Sequence, residues 1–66
     1  MLQPHQQRVI DEKAELDAKI NKLREFIVGY LFITLPAAER QRLKMQLEVM
    51  KKYSDILDMR IKAFQL

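Results

Sequence analysis

The second half of the chain places apolar residues on two opposite faces of one helix, and 66 residues cannot bury both faces by themselves. At about 100° per residue, Leu43, Leu47, Met50, Leu57, Ile61 and Phe64 form one stripe with heptad-like spacing. Met45, Val49, Ile56, Met59 and Ala63 form a second stripe on roughly the far side. Arg40, Lys44, Glu48, Lys51, Asp55, Asp58 and Lys62 fill one of the faces between them. A surface helix of an ordinary globular domain needs a single stripe, so the sequence predicts self-association or a tightly bound partner. The number of subunits, and whether they pack parallel or antiparallel, stays open at this level.

Size sharpens the point. A domain of this length buries only about 60% of the surface its unfolded chain exposes, so its core needs a supplement. The chain has no cysteine, which removes disulfides and thiolate metal sites and leaves packed helices or oligomerisation. The same absence fits a reducing interior. The start Met1-Leu2-Gln3-Pro4-His5 lacks a basic region followed by an apolar core. No secretory signal is therefore expected, and the whole chain is expected to be the mature protein. The apolar run from Phe26 to Leu35 is half of the roughly 20 residues that a membrane span needs, so no membrane partner is expected. The net charge is +3, but 12 basic residues are interleaved with 9 acidic ones. That pattern describes a mildly anion-tolerant surface and argues against a nucleic-acid-binding arm.

Val9, Leu16, Ile20, Leu23 and Ile27 repeat at heptad spacing, with Lys13 interrupting the seam, and predict a first amphipathic helix over about 6–28. Its polar side carries Asp11, Glu12, Glu15, Asp17, Lys19, Lys22 and Arg24, with Glu15 and Lys19 at the i,i+4 spacing that supports an exposed helix. Gly29, the only glycine, stands where this helix should stop and suits a left-handed residue just past a helix end. After a connection over 29–35, Pro36 is preorganised to open a second helix over about 36–64, with Glu39 near its positive end. The predicted fold is all-α: one antiparallel two-helix hairpin spanning 1–66 that self-associates into a helical bundle. The connection residues Tyr30, Leu31, Phe32 and Ile33 are too apolar for a free loop. They either plug the end of the hairpin or touch another subunit. Met45, Val49, Ile56, Met59, Tyr30 and Phe32 are thus the candidate oligomer interface.

Catalytic constellations are hard to assemble from one histidine, one serine and no cysteine. His5 lies at the N-terminus, far in sequence from Ser54, and Ser54 falls at a heptad position that suits a hydrogen bond within a helix seam. The carboxylates lack the Glu-x-x-His spacing of bundle metal sites, and a lone glycine cannot cradle a nucleotide phosphate in a Gly-rich loop. No catalytic residue, metal or cofactor is expected. A helix-turn-helix reading fails because Lys44, Lys51 and Lys62 share their face with Glu48, Asp55 and Asp58, which repel phosphates.

Arg42, Gln46, Tyr53 and Arg60 project on one side of the second helix between the two stripes, Tyr53 and Arg60 two turns apart on nearly the same line. Arginine forks donate to phosphate or carboxylate, and a tyrosine ring offers a stacking surface, so the strip could hold a nucleotide-like anion. The structural alternative is that the arginines pair with carboxylates while Tyr53 seals the core edge. The methionines of the second helix, Met45, Met50 and Met59, fit core filling or an adaptable partner groove.

The opening Pro4-His5-Gln6-Gln7-Arg8-Val9-Ile10-Asp11-Glu12-Lys13-Ala14-Glu15-Leu16, continuing through Leu23-Arg24-Glu25-Phe26-Ile27, resembles a family of very small proteins of tailed phages and prophages, the crAss-phage-related small proteins. Downstream, Leu35-Pro36, Glu39, Leu43, Gln46-Leu47, Met50, Tyr53, Ile56-Leu57 and Arg60-Ile61 look like the same pattern. The resemblance implies a phage source and a host-cell cytoplasmic setting, and it carries no activity with it. The polar opening is either an N-terminal cap or a site. As a site, His5, Gln6 and Arg8 would stand near a helix N-terminus, where N–H groups and the dipole favour anions. In a hairpin Arg8 and Arg60 would then converge. The candidate ligand-binding set is His5, Gln6, Arg8, Arg42, Tyr53 and Arg60.

The functional expectation is a non-catalytic phage accessory protein acting against a host process, an oligomeric anti-defence sponge for a cyclic or other small nucleotide signal. A protein-binding inhibitor or adaptor docking an apolar helix face onto a host protein is the alternative, and a structural or morphogenetic helper is a third. Fold-level analogy alone does not choose among them.

Overall fold

The computed structural model describes residues 2–64. Three helices follow in order, α1 (Pro4–Ile27), α2 (Tyr30–Ile33) and α3 (Ala37–Lys62). Two long helices pack against each other, joined by one short helical turn.

Helix α1 starts two residues earlier than its apolar periodicity suggests, because the polar opening builds a cap. Pro4 occupies the first turn, where its missing N–H costs nothing. The Gln3 N–H donates to Gln6 Oε1 at 2.8 Å, and the Gln6 and Gln7 N–H groups donate to the Gln3 carbonyl at 3.0 Å. At the other end, Gly29 is not left-handed. It has φ −86° and ψ 165°, and no described residue has positive φ. The reason is α2: a helical turn beginning at Tyr30 needs an extended residue before it. A Cβ on Gly29 would stand 3.4 Å from the Glu25 and Phe26 carbonyl oxygens, so the small residue serves close backbone approach. Thr34 closes the turn, its Oγ1 donating to the Leu31 carbonyl at 2.6 Å. Pro36 then caps α3, with Glu39 in its first turn and Arg60 and Lys62 in its last, each sign matched to the helix dipole.

The core is a narrow seam. Val9, Ile20, Phe32 and Leu57 are its buried hydrophobic residues, and Leu57 is fully enclosed. Leu16, Leu23, Ile27, Leu43, Leu47, Met50 and Ile61 are half-buried beside them. Phe32 alone of the connection turns inward. It meets Phe26 edge to face at 6.3 Å and lies 5.8 Å from the Lys44 ammonium. Its surface is spent inside the hairpin, as the plug, which leaves little of it for a subunit contact. Tyr30, Leu31, Ile33 and Val28 stay exposed around it.

Midway along the seam sits a polar cluster. Lys13 Nζ pairs with Asp17 Oδ2 at 2.7 Å and donates to Ser54 Oγ at 3.2 Å, while Ser54 Oγ donates to Asp17 Oδ1 at 2.5 Å. Lys13 thus interrupts the apolar repeat because it answers Ser54 across the helices, and these contacts fix the antiparallel register. Opposite this seam, Met45, Val49, Ile56 and Met59 are 48–66% exposed, so the second stripe of α3 is left uncovered by its own chain.

Candidate functional site at the open end of the hairpin

The open end is where the start of α1 meets the end of α3. The Lys13–Ser54 register brings Arg8 level with the segment around Met59 and Arg60. One helical turn after Arg8, Glu12 accepts a hydrogen bond from the Tyr53 hydroxyl. Tyr53 is 40% exposed. Its hydroxyl is held above the ordinary value of 10.0, first by the bond to Glu12 and then by burial, while the Arg60 charge pulls the other way. Arg60 therefore lies close enough to act on Tyr53, and the phenol stays protonated at neutral pH.

By helical phase His5 and Arg8 lie on the Glu12 side of α1, and Tyr53 and Arg60 share the side of α3 that meets it through the Tyr53–Glu12 bond. The exposed arginines offer forked donors and the tyrosine offers a ring face. Forked cations beside a ring face are the chemistry that recognises a planar anion, and the Glu12 carboxylate among them opposes it.

Two members of the sequence-derived set fall outside this group. Gln6 spends its Oε1 on the Gln3 N–H, so it is a cap. Arg42 pairs with Glu39 at 2.8 Å and stands about 27 Å along α3 from Arg60 at 1.5 Å rise per residue. Helical phase put Arg42 on the right side of α3 and could not report how far along that side a ligand reaches. Gln46, between them, leans on Met50 Sδ at 3.8 Å. Glu12 is the residue sequence reasoning missed, being indistinguishable from its charged neighbours until Tyr53 is seen beside it.

The comparisons with known proteins fall on this scaffold as a whole. Residues 3–63 match the family described as Sequestin. The chain belongs to the Sequestin family. It is 38% identical over 61 residues, 92% of this chain and 95% of the other, to a protein of Enterobacteria phage T4 named "Uncharacterized 7.5 kDa protein in denB-rIIB intergenic region". No solved structure matches the chain. A small phage protein family, the coarser part of the sequence resemblance, is thereby shown.

On the opposite flank of the Sequestin hairpin, Asp17, Ile20, Asn21, Arg24, Lys51, Ser54 and Asp55 line an open groove of about 360 Å³. Its two cations face two carboxylates, so it has no net preference for an anion. The Asp17 carboxyl is held below its ordinary value of 3.8, first by the Lys13 hydrogen bond and then by that of Ser54. Among the described residues no His, Cys, Asp or Glu group is arranged to hold a metal ion, and no helix is long and apolar enough to cross a membrane.

Proposed function

We propose that this protein is a non-catalytic sponge that sequesters a small anionic ligand, a cyclic or other small nucleotide signal of host defence, within the host-cell cytoplasm. Membership in a phage family named for sequestration carries the reading. The open-end flank supports it: Tyr53 and Arg60 on α3 with Arg8 on α1 combine a stacking face with forked cations on a chain of net charge +3. Stoichiometric capture needs affinity and abundance and no reacting group, which suits a chain this short.

Titration calorimetry against a panel of cyclic di- and trinucleotides tests it, alongside native mass spectrometry of protein purified from cells. The expected result is saturable binding of at least one nucleotide, retained as nucleotide-sized mass steps. Tyr53→Ala with Arg60→Ala removes a stacking face and a charged donor, together worth about 3 kcal/mol, and should weaken binding about 100-fold while the assembly mass holds. Full affinity in that double variant would exclude the flank as the site. The uncovered stripe of α3 favours one further reading, a protein-binding inhibitor. Recovery of a stoichiometric host protein in place of a nucleotide would establish that reading.

A further inference from the structure

We infer that the uncovered stripe of α3 is covered by the α3 of a second copy running parallel to it, giving the layer order α1, α3, α3, α1 about a two-fold axis along the helices. This goes beyond the sponge reading and does not depend on any ligand.

Area argues first for an occupant. The chain exposes 5330 Å² for 7.9 kDa, about 900 Å² more than a compact monomer of this mass is expected to show. One side of a standard protein interface is about 800 Å². The radius of gyration of 15.2 Å likewise exceeds the about 11 Å of a compact 66-residue domain. The hairpin alone is a rod of 48 × 14 × 14 Å, half of a bundle.

Spacing argues next for a second helix. Met45, Val49, Lys52, Ile56 and Met59 follow the alternating four-three spacing of a coiled-coil seam, along a helix without a break. With Val49 and Ile56 at a, the methionines take d. Within a parallel pairing, β-branched residues at a over unbranched ones at d favour two strands.

Charge then sets the direction. One flank of the stripe carries Glu48, Asp55 and, in the last turn, Lys62, and the other carries Arg60. A parallel two-fold brings unlike flanks together, so that Asp55 of each copy meets Arg60 of the other, five residues on. An antiparallel two-fold sets each flank against itself, and the registers that cover both Val49 and Ile56 place Asp55 against Glu48 or Asp55 of the other copy. Such exposed pairs add little strength and chiefly choose orientation, so the seam survives loss of Arg60 alone. The one charge on the seam, Lys52, has a stem long enough to carry its ammonium out to the acidic flank. Parallel order also sets the two exposed apolar tips, with Val28, Tyr30 and Ile33, at one end. Antiparallel order would lay each tip beside the polar open end of its partner.

The chain has no cysteine, so single cysteines report the geometry directly. Val49→Cys and Ile56→Cys, made separately and oxidised with oxidised glutathione, should each give a disulfide-linked dimer in high yield. Native mass spectrometry of the unaltered protein at about 100 µM should show an even number of chains. Asp55→Arg added to either cysteine variant should lower its yield several-fold, and Arg60→Asp added to that should restore it. An antiparallel seam can bring at most one of the two cysteines onto its own copy, so cross-linking at one position or neither overturns the inference. A monomer or an odd assembly overturns it too, and failure of the charge swap overturns the pairing of Asp55 with Arg60. A protein that cross-links as expected and binds no nucleotide would remove the sponge reading and leave this one standing.

Discussion

Three side chains hold the middle of the hairpin together, an ion pair and the serine hydroxyl that bonds to both of its members. Lys13, Asp17 and Ser54 satisfy one another across the two helices, where Ser54 is buried and the ion pair half-exposed. Because the Asp17 carboxyl sits below its ordinary value of 3.8 in the folded chain, the unfolded chain binds the extra proton as the medium is acidified. Asp17 therefore adds stability above about pH 4 that fades as pH falls through its folded value. Asp58 behaves the same way beside Lys62. Lys13, raised first by its bond to Asp17, adds stability below its ordinary value of 10.5 that is lost only as pH rises past its folded value. Asp17→Asn should lower the melting temperature at pH 7 and flatten its decline between about pH 5 and pH 2.5. Circular dichroism melts across that range check it, and parallel curves for the two proteins would show that Asp17 is not the group being titrated. Sequence phase alone placed Lys13 and Ser54 on the seam, since both fall at apolar repeat positions. Asp17 was unreadable as their third partner because it sits one position off the stripe, and only the crossing of two helices brings it in. Gly29 shows the opposite failure. Its position was legible and its conformation was not, because α2 began a residue later and needed an extended entry.

Helix by helix, the amphipathic pattern carried most of the architecture. The two long helices fall within two residues of their expected limits at each end, set by proline at the starts and by the apolar repeat between. The connection was less legible, since a run of four apolar residues reads alike as plug or interface. Packing divided them, with Phe32 inside and its neighbours outside. The second stripe of α3 is exposed as its phase implied, which makes it a clean target. Val49 and Ile56 are 66% and 48% exposed, so glutamate at both should disturb the hairpin by no more than about 1 kcal/mol. Buried in an assembly, the same charges would cost several kcal/mol, enough to weaken association by at least about 100-fold. Sedimentation below the variant's melting temperature should show a smaller species that is still helical. An unchanged mass would mean that α3 offers no seam to any subunit.

At the scale of the molecule, a seam this thin has a thermodynamic consequence. Among the described residues, four buried hydrophobic side chains set against the ordering entropy of more than fifty helical residues leave little margin for a hairpin standing alone, since each ordered residue costs about 1–2 kcal/mol. The missing margin has to come from the faces that the hairpin leaves bare, which lie along α3 and at the tip. Stability supplied by association follows mass action, so it grows with protein concentration. A 100-fold increase, from about 5 to about 500 µM, adds about 2.7 kcal/mol per dimer, or roughly half of that for each chain. For a domain of this size that corresponds to a rise of about 5–10 °C in melting temperature. Differential scanning calorimetry at the two concentrations reads the shift directly. Val49→Glu with Ile56→Glu should abolish the dependence as well as lower the temperature, because the hairpin would then melt as a single chain. A melting temperature that ignores concentration in the unaltered protein would mean that one hairpin is sufficient, and that the apolar stripe of α3 is stable in water without a partner.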